Sequence, residues 1–238
     1  VDRLVQSGLR SHNFLVDVTN YVLMELGQPL HAFDADTIKG SIVVRLAKGQ
    51  ESFILLNEQT VTLTGDELVI ADDEGVLALA GIMGGKRSSV TDSTTNIVLE
   101  SAFFSPLAIA ARARRFGLHT DASQRFERGV DFELPVLALA RAVNLITNIA
   151  GGRAGQIVTV EHFDQLPARE PIILPIAKVK DVLGIEIAVD TMMRILTQLG
   201  FAVAQHDNAL ICTPPSYRFD MSISEDLIEE LARIYGYD

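Results

Sequence analysis

The sequence has no tryptophan and a single cysteine, Cys212, in 238 residues. A lone thiol excludes an internal disulfide and a multi-thiolate zinc site, and fits a reducing cytoplasm. No uninterrupted apolar run approaches the ~20 residues a membrane helix needs, so a spanning segment is excluded. The opening Val1-Asp2-Arg3-Leu4 lacks a starting methionine and a signal-peptide pattern, and the chain is expected to be cut from something longer. Positive charge is also scarce. Lys and Arg total 20 against 31 Asp and Glu, a net charge of −11 that argues against a general nucleic-acid coat. What is present is ordinary: 48% apolar and 21% charged residues, the balance of a soluble globular protein with one large domain or two smaller ones. The charge is uneven. Between 101 and 130 the five arginines 112, 114, 115, 125 and 128 face only Asp121 and Glu127. Such a cluster is either a solvated face or a phosphate contact, and composition leaves both open.

Segment 12–26 reads as a helix, capped by Ser11 or Asn13, with Leu15, Val18, Val22, Leu23 and Leu26 at helical spacing and Gly27 to end it. From 41 to 100 the texture changes to short β-rich runs at 41–46, 52–56, 60–63, 68–71, 76–80 and 97–99, separated by turn residues. That spacing predicts hairpins and a largely antiparallel sheet, not alternating βαβ units. Helices return after Ser105-Pro106: one over 107–115 and a longer one over 132–150. A strand over 156–160 is expected to close this first domain, residues 1–165. The irregular stretch 163–171, with two prolines, reads as the linker to a small second domain, 170–238. There a strand near 172, helices near 176–183 and 190–199, strands at 201–205 and 209–213 and a last helix from about 223 are expected. The fold class is therefore α+β.

Five stretches have the residues for chemistry. His31, in Gln28-Pro29-Leu30-His31-Ala32-Phe33-Asp34, reads as a loop histidine beside a carboxylate, able to orient or deprotonate water or simply bonded within its own turn. Ala80-Gly81-Ile82-Met83-Gly84-Gly85 is a turn or a close approach to a ligand; it is neither a Walker loop nor Gly-x-Gly-x-x-Gly. Glu100 ends an apolar strand, where a carboxylate is a surface acid or a buried group needing a partner or a shifted pKa. Residues 117–131 alternate acids, hydroxyls and arginines. His119-Thr120-Asp121 with Ser123 does not make a catalytic triad, because no nucleophile-elbow sequence surrounds the serine. Finally, Asp220 and the helical acids Asp226, Glu229 and Glu230 gather oxygen donors suited to Mg²⁺, or else complement a helix dipole.

These stretches, in this order, resemble the β subunit of bacterial phenylalanyl-tRNA synthetases. The residues that carry the resemblance are 16–22 (Val-Asp-Val-Thr-Asn-Tyr-Val), 27–34 (Gly-Gln-Pro-Leu-His-Ala-Phe-Asp), Gly81-Ile82-Met83-Gly84-Gly85, Arg112-Ala113-Arg114-Arg115, 117–131, and the ending built on Arg218-Phe219-Asp220, 225–230 and Ile234-Tyr235-Gly236-Tyr237. The resemblance implies that the first domain is an editing domain that hydrolyses misacylated Tyr-tRNA(Phe), and that the second is similar to DNA-binding helical modules without binding DNA. It implies site residues Arg10, Thr19, His31, Gly84, Glu100, Thr120 and Ala122. Glu100 would accept the tyrosine hydroxyl, Gly84 and Ala122 would leave room for the side chain, and Arg10, His31 and Thr120 would place the ester, the terminal adenosine and water. It further implies Mg²⁺ on Asp220, Asp226, Glu229 and Glu230, shared with an α subunit that activates phenylalanine, and no cofactor for editing itself. The implied partners are tRNA(Phe) and the α subunit, in an assembly of two copies of each, in the cytoplasm and away from membranes. The rival reading is a non-catalytic tRNA-binding and assembly module.

Overall fold

The structure, a computed structural model, describes residues 1–236; Tyr237 of the last motif and the final residue of the expected second domain lie outside the described residues. The chain folds as two units, Val1–Thr159 and the remainder from Val160. Its class is α+β, and every strand pair is antiparallel.

The first unit runs α1 (Asp2–Gln6), α2 (Phe14–Leu26), β1 (Leu30–Asp34), β2 (Val43–Leu46), β3 (Ser52–Ile54), β4 (Thr60–Thr62), β5 (Leu68–Ala71), β6 (Val76–Leu79), β7 (Met83–Gly84), β8 (Ile97–Ser101), α3 (Pro106–Ile109), α4 (Arg112–Arg115), α5 (Asp121–Arg128) and α6 (Pro135–Ala150). Helix α2 forms as its caps predict. The Asn13 side chain accepts the Val16 N–H at 3.0 Å, and Gly27 ends the helix at φ +86°, donating to Leu23 O at 2.9 Å. Strands β2, β5, β6 and β7 make one sheet in that order, and β3–β4 and β1–β8 are separate ribbons. The main core joins Leu55, Leu63, Val69, Leu77 and Leu79 of the β-rich part to Ile109, Leu118 and Phe126 of the following helical part.

Three expectations are corrected. Residues 28–34 are not simply a loop: β1 pairs with β8 over its whole length, from Leu30↔Ser101 to Asp34↔Ile97. The helix expected over 107–115 is broken, because Ala111 sits in the left-handed region at φ +66°. Arg112 turns back to donate to Leu107 O at 2.6 Å, while Arg115 is drawn to Asp66 and Glu67 at 2.6 and 2.8 Å. The strand expected over 156–160 does not form. No strand edge pairs with it among the described residues, and its apolar side chains stay exposed, Val158 at 79%.

The ribbon β1–β8 has two different faces. Leu30 and Leu99 pack with Val18, Val22, Ala138 and Ala142 of α2 and α6. Phe33 and Val98, cross-strand partners, belong to the main core instead. Because side chains alternate along a strand, His31 and Glu100 share the Phe33–Val98 face. The helix layer is held from the other side by Ser101 Oγ donating to Pro135 O at 2.7 Å and by the bidentate Arg141–Glu25 pair at 2.7 and 2.8 Å.

The second unit comprises β9 (Ile172–Pro175), α7 (Ile176–Leu183), α8 (Val189–Gln198), β10 (Ala202–His206), β11 (Ala209–Thr213) and α9 (Ser224–Tyr235), with sheet order β10-β11-β9. Its elements match the expected ones to within a few residues. Leu174, Val179, Met192, Leu196, Leu210 and Leu227 fill its core together with Cys212, whose burial pushes the thiol up to about 11 and leaves it unreactive. No helix among the described residues is long and apolar enough to cross a membrane.

Candidate functional site

His31 and Glu100 stand directly opposite each other on β1 and β8. Cross-strand partners in an antiparallel pair project to one side with Cβ atoms about 5 Å apart, so the two polar groups meet on the core-facing side of the ribbon. Neither side chain makes a hydrogen bond or ion pair with a described residue, and His31 Nε2 is fully enclosed without a partner. Burial acts on both. It raises Glu100 to about 7 and lowers His31 to about 4, so the imidazole is neutral at physiological pH and the carboxyl is close to half ionised. The His31 ring is held edge-on by Phe33, centroids 4.5 Å apart. On its other side lies Gly84, so close that a Cβ there would fall 2.6 Å from Nε2.

Gly84 belongs to β7, pairs with Ala78 and accepts the Leu56 N–H at 3.0 Å. The same turn is tied to the start of α5: Thr120 Oγ1 donates to Ile82 O at 2.9 Å and accepts the Ser123 N–H at 3.0 Å. The Thr120 hydroxyl thus spends its one proton in docking α5 on the Gly81–Gly85 turn and one lone pair in capping the helix. Ala122, one residue into the helix, packs against the main core. His31, Glu100 and Gly84 are therefore adjacent, and Thr120 and Ala122 follow through the glycine turn. Thr19 is buried on α2 with its hydroxyl on Val16 O, and Arg10 is exposed in the irregular segment before α2; among the described residues no hydrogen bond or ion pair joins either to the His31–Glu100 face. One residue was not singled out from sequence. Gln28 is completely buried, donates to Ala102 O at 2.7 Å, and keeps Oε1 enclosed without a partner, pinning the start of β1 to the end of β8. Its only sequence signal is an amide between a helix-ending glycine and a proline.

This arrangement sits in a region with known relatives, since residues 1–151 match the B3/4 domain. The chain belongs to the B3/4-domain family. Beyond this B3/4 domain, residues 172–237 match the tRNA synthetase B5 domain. The whole chain corresponds to a segment of phenylalanine–tRNA ligase β subunits: it is 81% identical over 237 residues to that of Psychrobacter arcticus and 59% identical over 236 residues to that of Acinetobacter baylyi. It spans about 30% of the length of each of these relatives. A crystal structure of an N-terminal fragment of the phenylalanyl-tRNA synthetase β subunit from Pyrococcus horikoshii aligns with 94% of this chain and 65% of its own, at 18% identity and a TM-score of 0.47, too distant to bear on the details of either unit.

In the B5 domain the four acids do not converge. Asp220 is gripped by Arg218 at 2.8 and 2.9 Å, and Glu230 is paired with Arg218 at 3.1 Å and with Arg233. Asp226 accepts the Ser222 and Ile223 N–H groups at 2.8 and 3.0 Å, as an acid at a helix start does, and Glu229 is exposed. Among the described residues no group of three or more His, Cys, Asp or Glu side chains is arranged to hold a metal ion. In the B3/4 domain the clustered arginines are likewise engaged, Arg115 with Asp66 and Glu67, Arg112 with Asp66 at 3.7 Å and Arg114 with Glu127 at 3.6 Å.

Proposed function

We propose that the B3/4 domain is a hydrolytic editing module that removes tyrosine from misacylated tRNA(Phe), as part of a phenylalanine–tRNA ligase. The observation that carries this reading is the pairing of His31 with Glu100, two polar groups facing each other on one part-buried side of the ribbon, with His31 Nε2 left without a partner. A pocket that accepts phenylalanine excludes an added hydroxyl poorly, so a second site that welcomes the hydroxyl is the chemical remedy. Glu100 supplies the acceptor for the phenol. A water oxygen attacks the ester carbonyl carbon, the bond from that carbon to the ribose oxygen breaks, and the ribose oxygen takes a proton, giving free tyrosine and uncharged tRNA. A histidine held near 4 is a weak base at neutral pH, so His31 serves to position the water or the ester by hydrogen bonding through Nδ1, its Nε2 being enclosed against Gly84, and not to strip the proton. Thr120 contributes by fixing the glycine turn beneath the site. The reading extends to tRNA(Phe) as substrate, Arg10 as a contact to it, Thr19 and Ala122 as part of the binding surface, and the α subunit as partner in an assembly of two copies of each, in the cytoplasm. Phenylalanine activation stays with that α subunit. Mg²⁺ shared with the α subunit does not fit Asp220, Asp226, Glu229 and Glu230 as they are arranged in the chain alone, and no step of the hydrolysis runs through a metal.

The test compares hydrolysis of Tyr-tRNA(Phe) and Phe-tRNA(Phe) by this chain, with the full-length subunit and its α partner as control. Editing predicts faster release of tyrosine. Equal, uncatalysed loss of both amino acids in both preparations would leave a non-catalytic tRNA-binding and assembly module.

A further inference from the structure

The Gly84–His31 contact carries more than room for a ligand. A Cβ built on Gly84 would stand 2.5 Å from His31 Cε1 and 2.6 Å from Nε2, closer than non-bonded carbon and nitrogen approach, and 3.2 Å from Leu56 Cδ1. The first group met in that direction is the imidazole of the protein itself. Nothing else about position 84 demands glycine, because its backbone lies outside the positive-φ region where an L side chain is strained. The backbone has little freedom to retreat, being paired with Ala78 of β6 and bonded to the Leu56 N–H at 3.0 Å. The imidazole has little freedom either. Its strand is paired along its whole length with β8, and Phe33 lies against its ring.

We propose that Gly84 is a positioning residue for His31: the missing side chain is the seat of the imidazole and holds it in place opposite Glu100. This rests on the reading of the His31–Glu100 face as a hydrolytic site, and it assigns to position 84 a role that acts through the histidine before any substrate arrives. Alanine, one methyl group, is then enough to disturb the site. A residue that only bounded the space for a tyrosine side chain would tolerate so small an addition far better.

The seat and the function are tested separately with four proteins: the unsubstituted chain, Gly84→Ala, His31→Ala and the double variant. In thermal unfolding Gly84→Ala lowers the midpoint by several degrees in the presence of His31, and by much less when His31 is alanine, because the new methyl group then enters the space the ring has left. Should Gly84→Ala prove too unstable to fold alone, His31→Ala restores a folded double variant. An equal loss, or failure to fold, in both backgrounds overturns the seat. In solution NMR the His31 Cε1–H signal shifts in Gly84→Ala; an unmoved signal also overturns it. In single-turnover hydrolysis of Tyr-tRNA(Phe), Gly84→Ala slows the reaction by about 10²-fold, the cost of an ångström-scale misplacement, and adds no further loss to His31→Ala. Losses that multiply would mean that Gly84 acts independently of His31. If the unsubstituted chain and the full-length assembly do not prefer Tyr-tRNA(Phe), the editing reading fails, while the unfolding and NMR comparisons still decide whether Gly84 seats the ring.

Discussion

Burial moves the two facing groups in opposite directions, and the consequences for pH follow from that alone. Glu100 rises from an ordinary 4.5 to about 7 in the folded chain. A raised pKa means that the folded state holds the proton more tightly; the contribution to stability is complete below about 4.5 and is lost as pH rises through about 7. His31 falls from 6.5 to about 4, so its effect is the reverse: the unfolded chain takes up the proton first, and stability is lost as pH drops from about 6.5 towards 4. Replacing Glu100 with glutamine removes the first effect, and Glu100→Gln should be more stable than the parent at about pH 8.5 by about 1–3 kcal/mol, with little difference near pH 5. The same ionisation bears on specificity. An ionised, desolvated carboxylate left unpaired by phenylalanine costs more than a neutral carboxyl does, and a phenol donated to it makes the stronger, charge-assisted bond. The ratio of Tyr-tRNA(Phe) to Phe-tRNA(Phe) hydrolysis should therefore climb about tenfold as pH crosses 7, and stay level in Glu100→Gln. Taking the ratio cancels the rise in hydroxide common to both substrates. A ratio that does not change with pH in the parent would remove Glu100 from recognition.

At the scale of elements, the site depends on α5 being docked through its capping residue, Thr120. The Thr120 hydroxyl both caps the helix and satisfies the Ile82 carbonyl behind the glycine turn. Thr120→Ala removes both bonds at once; loss of a cap alone costs about 0.5–2 kcal/mol, and the buried carbonyl left without its donor adds to that. Thr120→Ser keeps the hydroxyl and should recover most of the stability in denaturant unfolding, and most of the hydrolysis with it. A Thr120→Ser chain that is stable yet inactive would mean that the threonine methyl touches substrate. Elements were legible in the sequence where their signals are local. Asn13 and Gly27 bracket α2, turn residues separate β2 through β6, and the small second unit is correctly divided into strands and helices. What was not legible depends on distant partners. Residues 30–34 become a strand only because 97–101 lie alongside, and the helix after Ser105 breaks at Ala111, beyond which Arg115 reaches Asp66 and Glu67 in a turn of the β-rich region. The same holds for the site. His31 stood out as a loop histidine beside a carboxylate and Glu100 as an acid ending an apolar strand, but their facing each other is a fact of register, and Gln28 becomes notable only once it is seen to be buried.

At the scale of the whole molecule, the acidic excess of the chain looks like an invitation to cations, yet three of the four acids gathered near its end are already engaged. The helical spacing of Asp226, Glu229 and Glu230 is real, but spacing does not reveal where each carboxylate finds its partner. Arg218 bridges Asp220 and Glu230, Arg233 takes the second oxygen of Glu230, and Asp226 is spent on backbone amides. Arg218 keeps its charge at any accessible pH, and both carboxylates beside it are held below their usual range, Asp220 chiefly by the Arg218 hydrogen bonds and Glu230 by Arg233 and Arg218 against the opposing effect of burial. A Mg²⁺ ion demands six oxygens in near-octahedral array, so it would have to displace the guanidinium and draw Asp226 off the helix start, with water or another chain completing the shell. Titration calorimetry on this chain should accordingly show no saturable binding at millimolar Mg²⁺. Arg218→Gln frees Asp220 and one oxygen of Glu230 and should strengthen the binding, and adding the α subunit should strengthen it further if that subunit supplies the missing ligands. Tight, saturable uptake by the unsubstituted chain would mean that the arginine gives way to the metal unaided.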